Sequence, residues 1–199
     1  MKRMLINFLF LLLLFAGCSP TRSEPVPSLP GASQLAPTLE ASELAEFRSE
    51  DKGIIIAYPD GWAVVDSTSF TYLAPDESLF PWKRSFSLAQ PMYIINTMGP
   101  YVKRGNQQLN IPQPTIEVAQ FIADTMDGEL VKPVTSVDIN GIDGASFLNE
   151  STFGHEYVVF LRIANKKVVV LSAHGPVDKS EEMQSVVNTI VLKTHLIED

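Results

Sequence analysis

Histidines are the first residues to test for chemistry, because imidazole titrates near neutral pH and is the commonest metal ligand. His155 and His174 flank two apolar runs, Tyr157–Ala164 and Lys167–His174, with Asn165-Lys166 between them. A two-residue hairpin turn at Asn165-Lys166 would pair Tyr157 with His174. His155 would then stand diagonal to His174 on one face. Diagonal Cβ atoms are about 7–8 Å apart, so two imidazoles could reach one Zn²⁺. Zinc needs three or four ligands. In this register Glu156 points to the other face, and Ser172 is the nearest neighbour on His174's own strand. The expectation is therefore no metal site, with His155 and His174 as weak candidates. His195 falls in the C-terminal stretch and is expected to be solvated.

No catalytic set is visible. The chain has no Gly-rich phosphate loop, no Gly-x-Ser-x-Gly elbow and no Cys-x-x-Cys pair. No cofactor is implied. Two long connections carry the remaining candidates. Pro75–Gln90 holds Trp82, Lys83 and Arg84, and Gly99–Pro114 holds Tyr101, Lys103 and Arg104. Each sets an aromatic beside two cations in an otherwise acidic chain, and long loops are often functional. These six residues are the candidate partner-binding surface.

Those loops must be held by a domain, and the domain follows an export signal. Lys2 and Arg3 precede the apolar run Leu5–Phe15, which is too short to span a bilayer. Phe15-Ala-Gly-Cys18 resembles a bacterial lipoprotein cleavage site. That resemblance implies a signal peptide over 1–17 and a lipidated Cys18 at the mature N-terminus. Cys18 is the sole cysteine, so no internal disulfide forms. Multiple acyl chains would hold the protein stably on the outer face of a plasma membrane or on an outer membrane. Residues 18–42 are rich in Pro and Ser and cannot bury enough apolar surface to order, so they are expected to be a tether reaching up to roughly 70 Å.

Charge excludes some partners. The net charge is −8 for the whole chain. Without Lys2 and Arg3 it is about −10, from 13 basic and 23 acidic side chains. Nucleic acid is a poor partner for such a surface, and an anionic membrane repels it. Membrane contact is expected through the lipid alone.

Residues 43–199 are one domain's worth of chain. Ile54–Tyr58 is a strand, Pro59-Asp60-Gly61 a tight turn, and Trp62, predicted to be buried under a helix, restarts an apolar run. Further strands are expected at Ala45–Ser49, Ser69–Ala74, Pro91–Met98, Val131–Asn140 and Ala145–Ser151. The two apolar runs around Asn165-Lys166 are apolar on both faces and so are covered on both. A helix is predicted over Thr115–Asp127 with Thr115 as N-cap. A second spans Lys179–Leu192, with Asp178 and Glu181 at capping-box spacing. In it Met183, Val186, Val187, Ile190 and Val191 form one apolar stripe. About eight strands and two helices imply an α+β fold, an antiparallel sheet sandwiched between helices.

This order of elements resembles the PsbP-like fold of extrinsic photosystem II subunits, a Ran-binding import factor and many bacterial lipoproteins. The matching features are Tyr58-Pro-Asp-Gly-Trp62, the helix at Thr115, Asn140-Gly141…Gly144-Ala145, the hairpin Tyr157–His174 and the last amphipathic helix. The resemblance implies a non-catalytic lipoprotein that binds a protein or cell-envelope partner. An accessory subunit of a photosynthetic membrane complex is the alternative for a phototrophic host. An envelope hydrolase or metal-dependent enzyme is the alternative from another class.

Overall fold

A computed structural model describes residues 44–80, 82, 90–111 and 113–197. In chain order its elements are β1 (Leu44–Ser49), β2 (Ile54–Pro59), β3 (Ala63–Asp66), β4 (Phe70–Ala74), β5 (Met92–Met98), β6 (Tyr101–Arg104) and β7 (Gln107–Asn110). Then come α1 (Thr115–Thr125), β8 (Glu129–Ile139), β9 (Ile142–Ser151), β10 (Gly154–Ala164), β11 (Lys167–Gly175), α2 (Ser180–Lys193) and β12 (His195–Leu196).

The main sheet has seven strands in the order β3-β4-β5-β11-β10-β9-β8, with every neighbouring pair antiparallel. Its central strands are apolar at nearly every position because both faces are covered, as expected for a doubly packed strand. One face of β10 and β11 gives Val159, Leu161, Val169 and Leu171 to a core with Met183, Val186, Val187, Ile190 and Val191 of α2. Alternate residues Val158, Phe160, Val168 and Val170 join a second core with Val118, Ala119, Ile122 and Ala123 of α1. The period of two along each strand thus puts one helix on each side. A three-stranded sheet β1-β2-β12 shares the α2 side through Ile54 and Ile56, so that layer is part helix and part strand.

Several expectations need correcting. Gly99–Pro114 is not irregular: β6 and β7 form a hairpin closed by Gly105, whose φ is +57°. Asn140-Gly141 alone closes the β8–β9 hairpin, with φ +54° and +81°, the two positive values a type I′ turn requires. Thr115 is not an N-cap but the first helical residue, fully buried. Its hydroxyl meets Asp143 Oδ2 and accepts from Arg162 Nε at 3.1 Å. Arg162 also donates to the carbonyls of Ile111, at 3.0 Å, and of Gln113. These bonds clamp the start of α1 to β10. At α2 the capping box does not form, because Asp178 lies inside a 3₁₀ turn, Val177–Lys179, ahead of the helix.

Trp62 is half-buried rather than fully buried. It packs against the α2-side core, with its ring centroid 5.0 Å from that of Tyr93 and tilted by 42°. Full burial of a tryptophan would make truncation cost about 3–5 kcal/mol. The partial burial brings the expected cost of Trp62→Ala to about 2 kcal/mol. Trp82→Ala is expected to cost at most about 1 kcal/mol, the value of its aromatic stacking. Equal losses in thermal melts of the two variants would contradict this placement of Trp62.

Candidate functional site

The long hairpin that carries both candidate histidines has a different register from the expected one. Ala164 pairs with Lys167 across the two-residue turn, but a bulge between Arg162 and Ala164 shifts everything beyond it by one residue. Tyr157 therefore faces Ala173, His174 faces Glu156, and His155 faces Gly175. A one-residue slip moves side chains to the other face of the sheet. His155 and His174 consequently lie on opposite faces and cannot share an ion. His155 is buried beside Glu150, its Nε2 3.3 Å from Oε2. His195 is exposed, but on a strand, β12, where it pairs with Ile55. Among the described residues, no three His, Cys, Asp or Glu side chains are grouped to hold a metal.

The same slip assembles a different site. Register matches Met92 with His174, Ile94 with Ser172, and Tyr72 with Ile94. With Glu156 opposite His174, these residues share the α1-side face. α1 covers this face over β8, β9 and β10. Over β5 and the end of β11 the described residues leave two adjoining hollows of about 600 and 330 Å³ on this face. Such volumes lie in the range of small-molecule sites, roughly 300–1,000 Å³. Ile94, Glu156 and His174 line both. The larger hollow adds Met92, Asp127 and Phe153, and the smaller adds Asn96, Met98, Arg104, Ile122 and Met126.

The floor of this groove holds a polar trio. His174 Nε2 lies 3.2 Å from Glu156 Oε1 and 3.2 Å from Ser172 Oγ. Burial pushes the Glu156 carboxyl up to about 7, against the pull of the Arg104 charge. Burial also pushes His174 down to about 4. Between those values both groups are neutral, so the carboxylic acid donates to a neutral imidazole. The contact is then a hydrogen bond rather than an ion pair. The trio has the membership of a hydrolase triad but not its geometry. A relay needs the acid on one ring nitrogen and the nucleophile on the other, whereas here both meet Nε2.

The aromatic and cationic candidates divide around this groove. On β6, Val102 and Arg104 face the sheet: Val102 is buried in the α1-side core and Arg104 lines the groove. Tyr101 and Lys103 alternate with them and are exposed on the outer side. Trp82 is 53% exposed and stacks on buried Phe80, with centroids 5.0 Å apart at 17°. It also sits edge-on to Tyr72 at 5.2 Å, next to the groove floor. Cys18, Lys83 and Arg84 lie outside the described residues. Glu156, Ser172 and Asn96 were not among the sequence candidates. The available signal was Glu156 itself, a carboxylate at the head of a run apolar on both faces, and a carboxylate is rarely buried without a reason.

No protein-family model matches the chain, and no curated protein sequence does. Solved structures do resemble it. The solution structure of cyanobacterial PsbP (CyanoP) from Synechocystis sp. PCC 6803 aligns with TM-score 0.52 at 12% identity, over 81% of this chain and 96% of that one. LpqN of Mycobacterium tuberculosis, described as involved in cell envelope biogenesis, aligns with TM-score 0.48 at 15% identity, over 77% and 90%. The Ran-binding protein Mog1p of Saccharomyces cerevisiae aligns with TM-score 0.46 at 11% identity, over 78% and 96%. Identities this low speak to architecture and not to activity. On the likeness to CyanoP, with its mostly antiparallel sheets and two helices, the chain has a PsbP-like α+β fold.

Proposed function

We propose that this protein is a non-catalytic binding module, held on the outer side of a membrane by a lipidated Cys18, with the groove over β5 and β11 as its working surface. The observation that carries the reading is the groove itself. It is concave and largely apolar, and a few polar groups converge in it, as in binding sites generally. Its Ser172–His174–Glu156 trio is arranged for mutual hydrogen bonding rather than for proton relay. The tether and the lipid would leave residues 43–199 free to meet a partner near the membrane.

Two measurements test this. Cys18→Ser is expected to move the protein from the membrane fraction to the soluble one or to block its maturation. Unchanged fractionation and maturation would remove the lipoprotein half of the proposal. Crosslinking from native membranes is expected to give adducts that Arg104→Ala weakens and Tyr101→Ala leaves intact, because only Arg104 faces the groove. Adducts that depend on Tyr101 and not on Arg104 would move the binding surface to the outer side of β6.

A further inference from the structure

We propose that the larger hollow is a site for a small organic cation, a protonated amine with an apolar body, its ammonium group held by Asp127 and Glu156 and its body against Met92 and Ile94. This rests on the binding-module reading and names its ligand class.

The charge of the hollow is one-sided. Asp127, in the turn between α1 and β8, and Glu156, on β10, both line it, and no Lys or Arg does among the described residues. Arg104 lines only the smaller hollow. His174 also lines the larger one, but burial keeps it neutral down to about 4, so it adds no positive charge near neutral pH. The chain as a whole carries a net charge of −8. A cation is drawn into such a space and an anion is repelled.

Neither carboxyl group is fully committed to the fold. The Asp127 side chain makes no hydrogen bond or ion pair among the described residues. Glu156 meets His174 Nε2 through Oε1 at 3.2 Å, and its other oxygen has no such partner among the described residues. Asp66 and Asp143, by contrast, are committed to structural ties, with Lys52 and with Thr115 and Arg162.

The lining selects an organic cation over a metal ion. Met92 and Ile94 supply apolar wall, and the described residues hold no group of three His, Cys, Asp or Glu able to bind a metal. A hollow of about 600 Å³ suits a small molecule. A neutral occupant would desolvate the carboxylates without pairing them, which is costly.

Glu156 makes the site pH-dependent. The other charged or titratable groups lining the two hollows it borders are Asp127, His174 on β11 and Arg104 on β6. Burial keeps the Glu156 carboxyl protonated up to about 7, and Arg104 pulls against that. A bound cation favours the ionised form, so binding releases the proton and affinity rises with pH.

The test is isothermal titration calorimetry on the full chain in phosphatidylcholine nanodiscs, with empty nanodiscs as the blank. The probes are benzylamine, benzyl alcohol and benzoate, which share one apolar ring and differ in charge. Benzylamine is protonated at both pH 8 and pH 5.5. It should bind at pH 8, and the alcohol and the anion should not. At pH 5.5 its affinity should be roughly tenfold lower, the loss expected for one charge-assisted contact. Glu156→Gln should bind it with that lower affinity at both pH values. Asp127→Asn should weaken binding roughly tenfold at each pH and keep the dependence on pH. Asp124→Asn makes the same change in net charge on the exposed side of α1 and should leave binding unchanged. No binding of benzylamine, equal binding of benzyl alcohol, or equal losses in Asp127→Asn and Asp124→Asn would overturn the proposal. If the Arg104-dependent adducts from native membranes persist in that case, the groove is still a binding surface, but for a different occupant. If they fail too, the binding-module reading falls with it.

Discussion

Lys52→Ala is expected to lower the melting temperature by roughly 6–12 °C, from a loss of about 3 kcal/mol. Lys52 is fully buried, although it sits in the turn between β1 and β2. Its ammonium donates to Asp66 Oδ1 at 2.8 Å and to the Ser67 carbonyl at 2.7 Å. Asp66 ends β3, an edge strand of the seven-stranded sheet, so the pair ties the small sheet to the large one. Lys167 on β11 adds a second tie by donating to the Lys52 carbonyl at 2.9 Å. Truncation would leave an aspartate and a carbonyl short of a donor, which costs more than the pair contributes while intact. Lys52→Met keeps the apolar stem and should lose somewhat less than alanine. Adding Asp66→Asn to Lys52→Met should recover part of the loss, because no unpaired charge then remains. A melt of Lys52→Ala within 2 °C of the parent would remove the pair as a structural tie.

The same pair sets an acid limit. Burial alone would raise Asp66, but hydrogen bonds from Lys52 and Thr71 and the Lys52 charge outweigh it and hold the carboxyl below its ordinary 3.8. Its contribution is present above that value and is lost as pH falls through the lower native one. Lys52→Ala should therefore also move acid unfolding to higher pH.

Lys52 shows where sequence reading stops. Glu50-Asp51-Lys52-Gly53 looks like a solvated turn, and nothing local marks its lysine as buried. Burial here comes from β3, whose end meets the turn only in three dimensions. The helix stripe of α2 was legible because all five of its apolar positions face one core, and amphipathic period depends on local sequence alone. The β6–β7 hairpin was missed because Tyr101–Arg104 and Gln107–Asn110 are largely polar and do not look like strands. Gly105-Asn106 was its one usable mark, a dipeptide suited to a hairpin turn. The site itself turned on the bulge at Ile163. No residue type announces a bulge, yet that single unpaired residue parted His155 from His174 and brought Glu156 to His174 instead.

Glu156→Gln is expected to change stability little near pH 4 and to raise it progressively from about pH 4.5 to pH 7 and above. In the unfolded chain Glu156 loses its proton around its ordinary 4.5, whereas in the fold it keeps it to about 7. Across that window the folded state binds more protons, so rising pH destabilises it. His174 acts in the opposite direction. The unfolded imidazole takes a proton below 6.5, and the buried one refuses it down to about 4. Stability linked to His174 therefore rises from pH 4 to pH 6.5. The two slopes cancel between pH 4.5 and 6.5, leaving a plateau there and a net fall only as pH approaches 7. Glutamine cannot ionise, and its amide can still donate to His174 Nε2. The variant should accordingly show the His174 rise without the later fall. At pH 8 it should exceed the parent by on the order of 3 kcal/mol, or roughly 6–12 °C in melting temperature. Arg104 and His174 face this carboxyl from β6 and β11, and Arg104 opposes the shift, so Arg104→Ala should deepen the parent's fall near pH 7. Parallel stability profiles for Glu156→Gln and the parent from pH 4 to 8 would show that Glu156 is not the buried neutral acid on the groove floor.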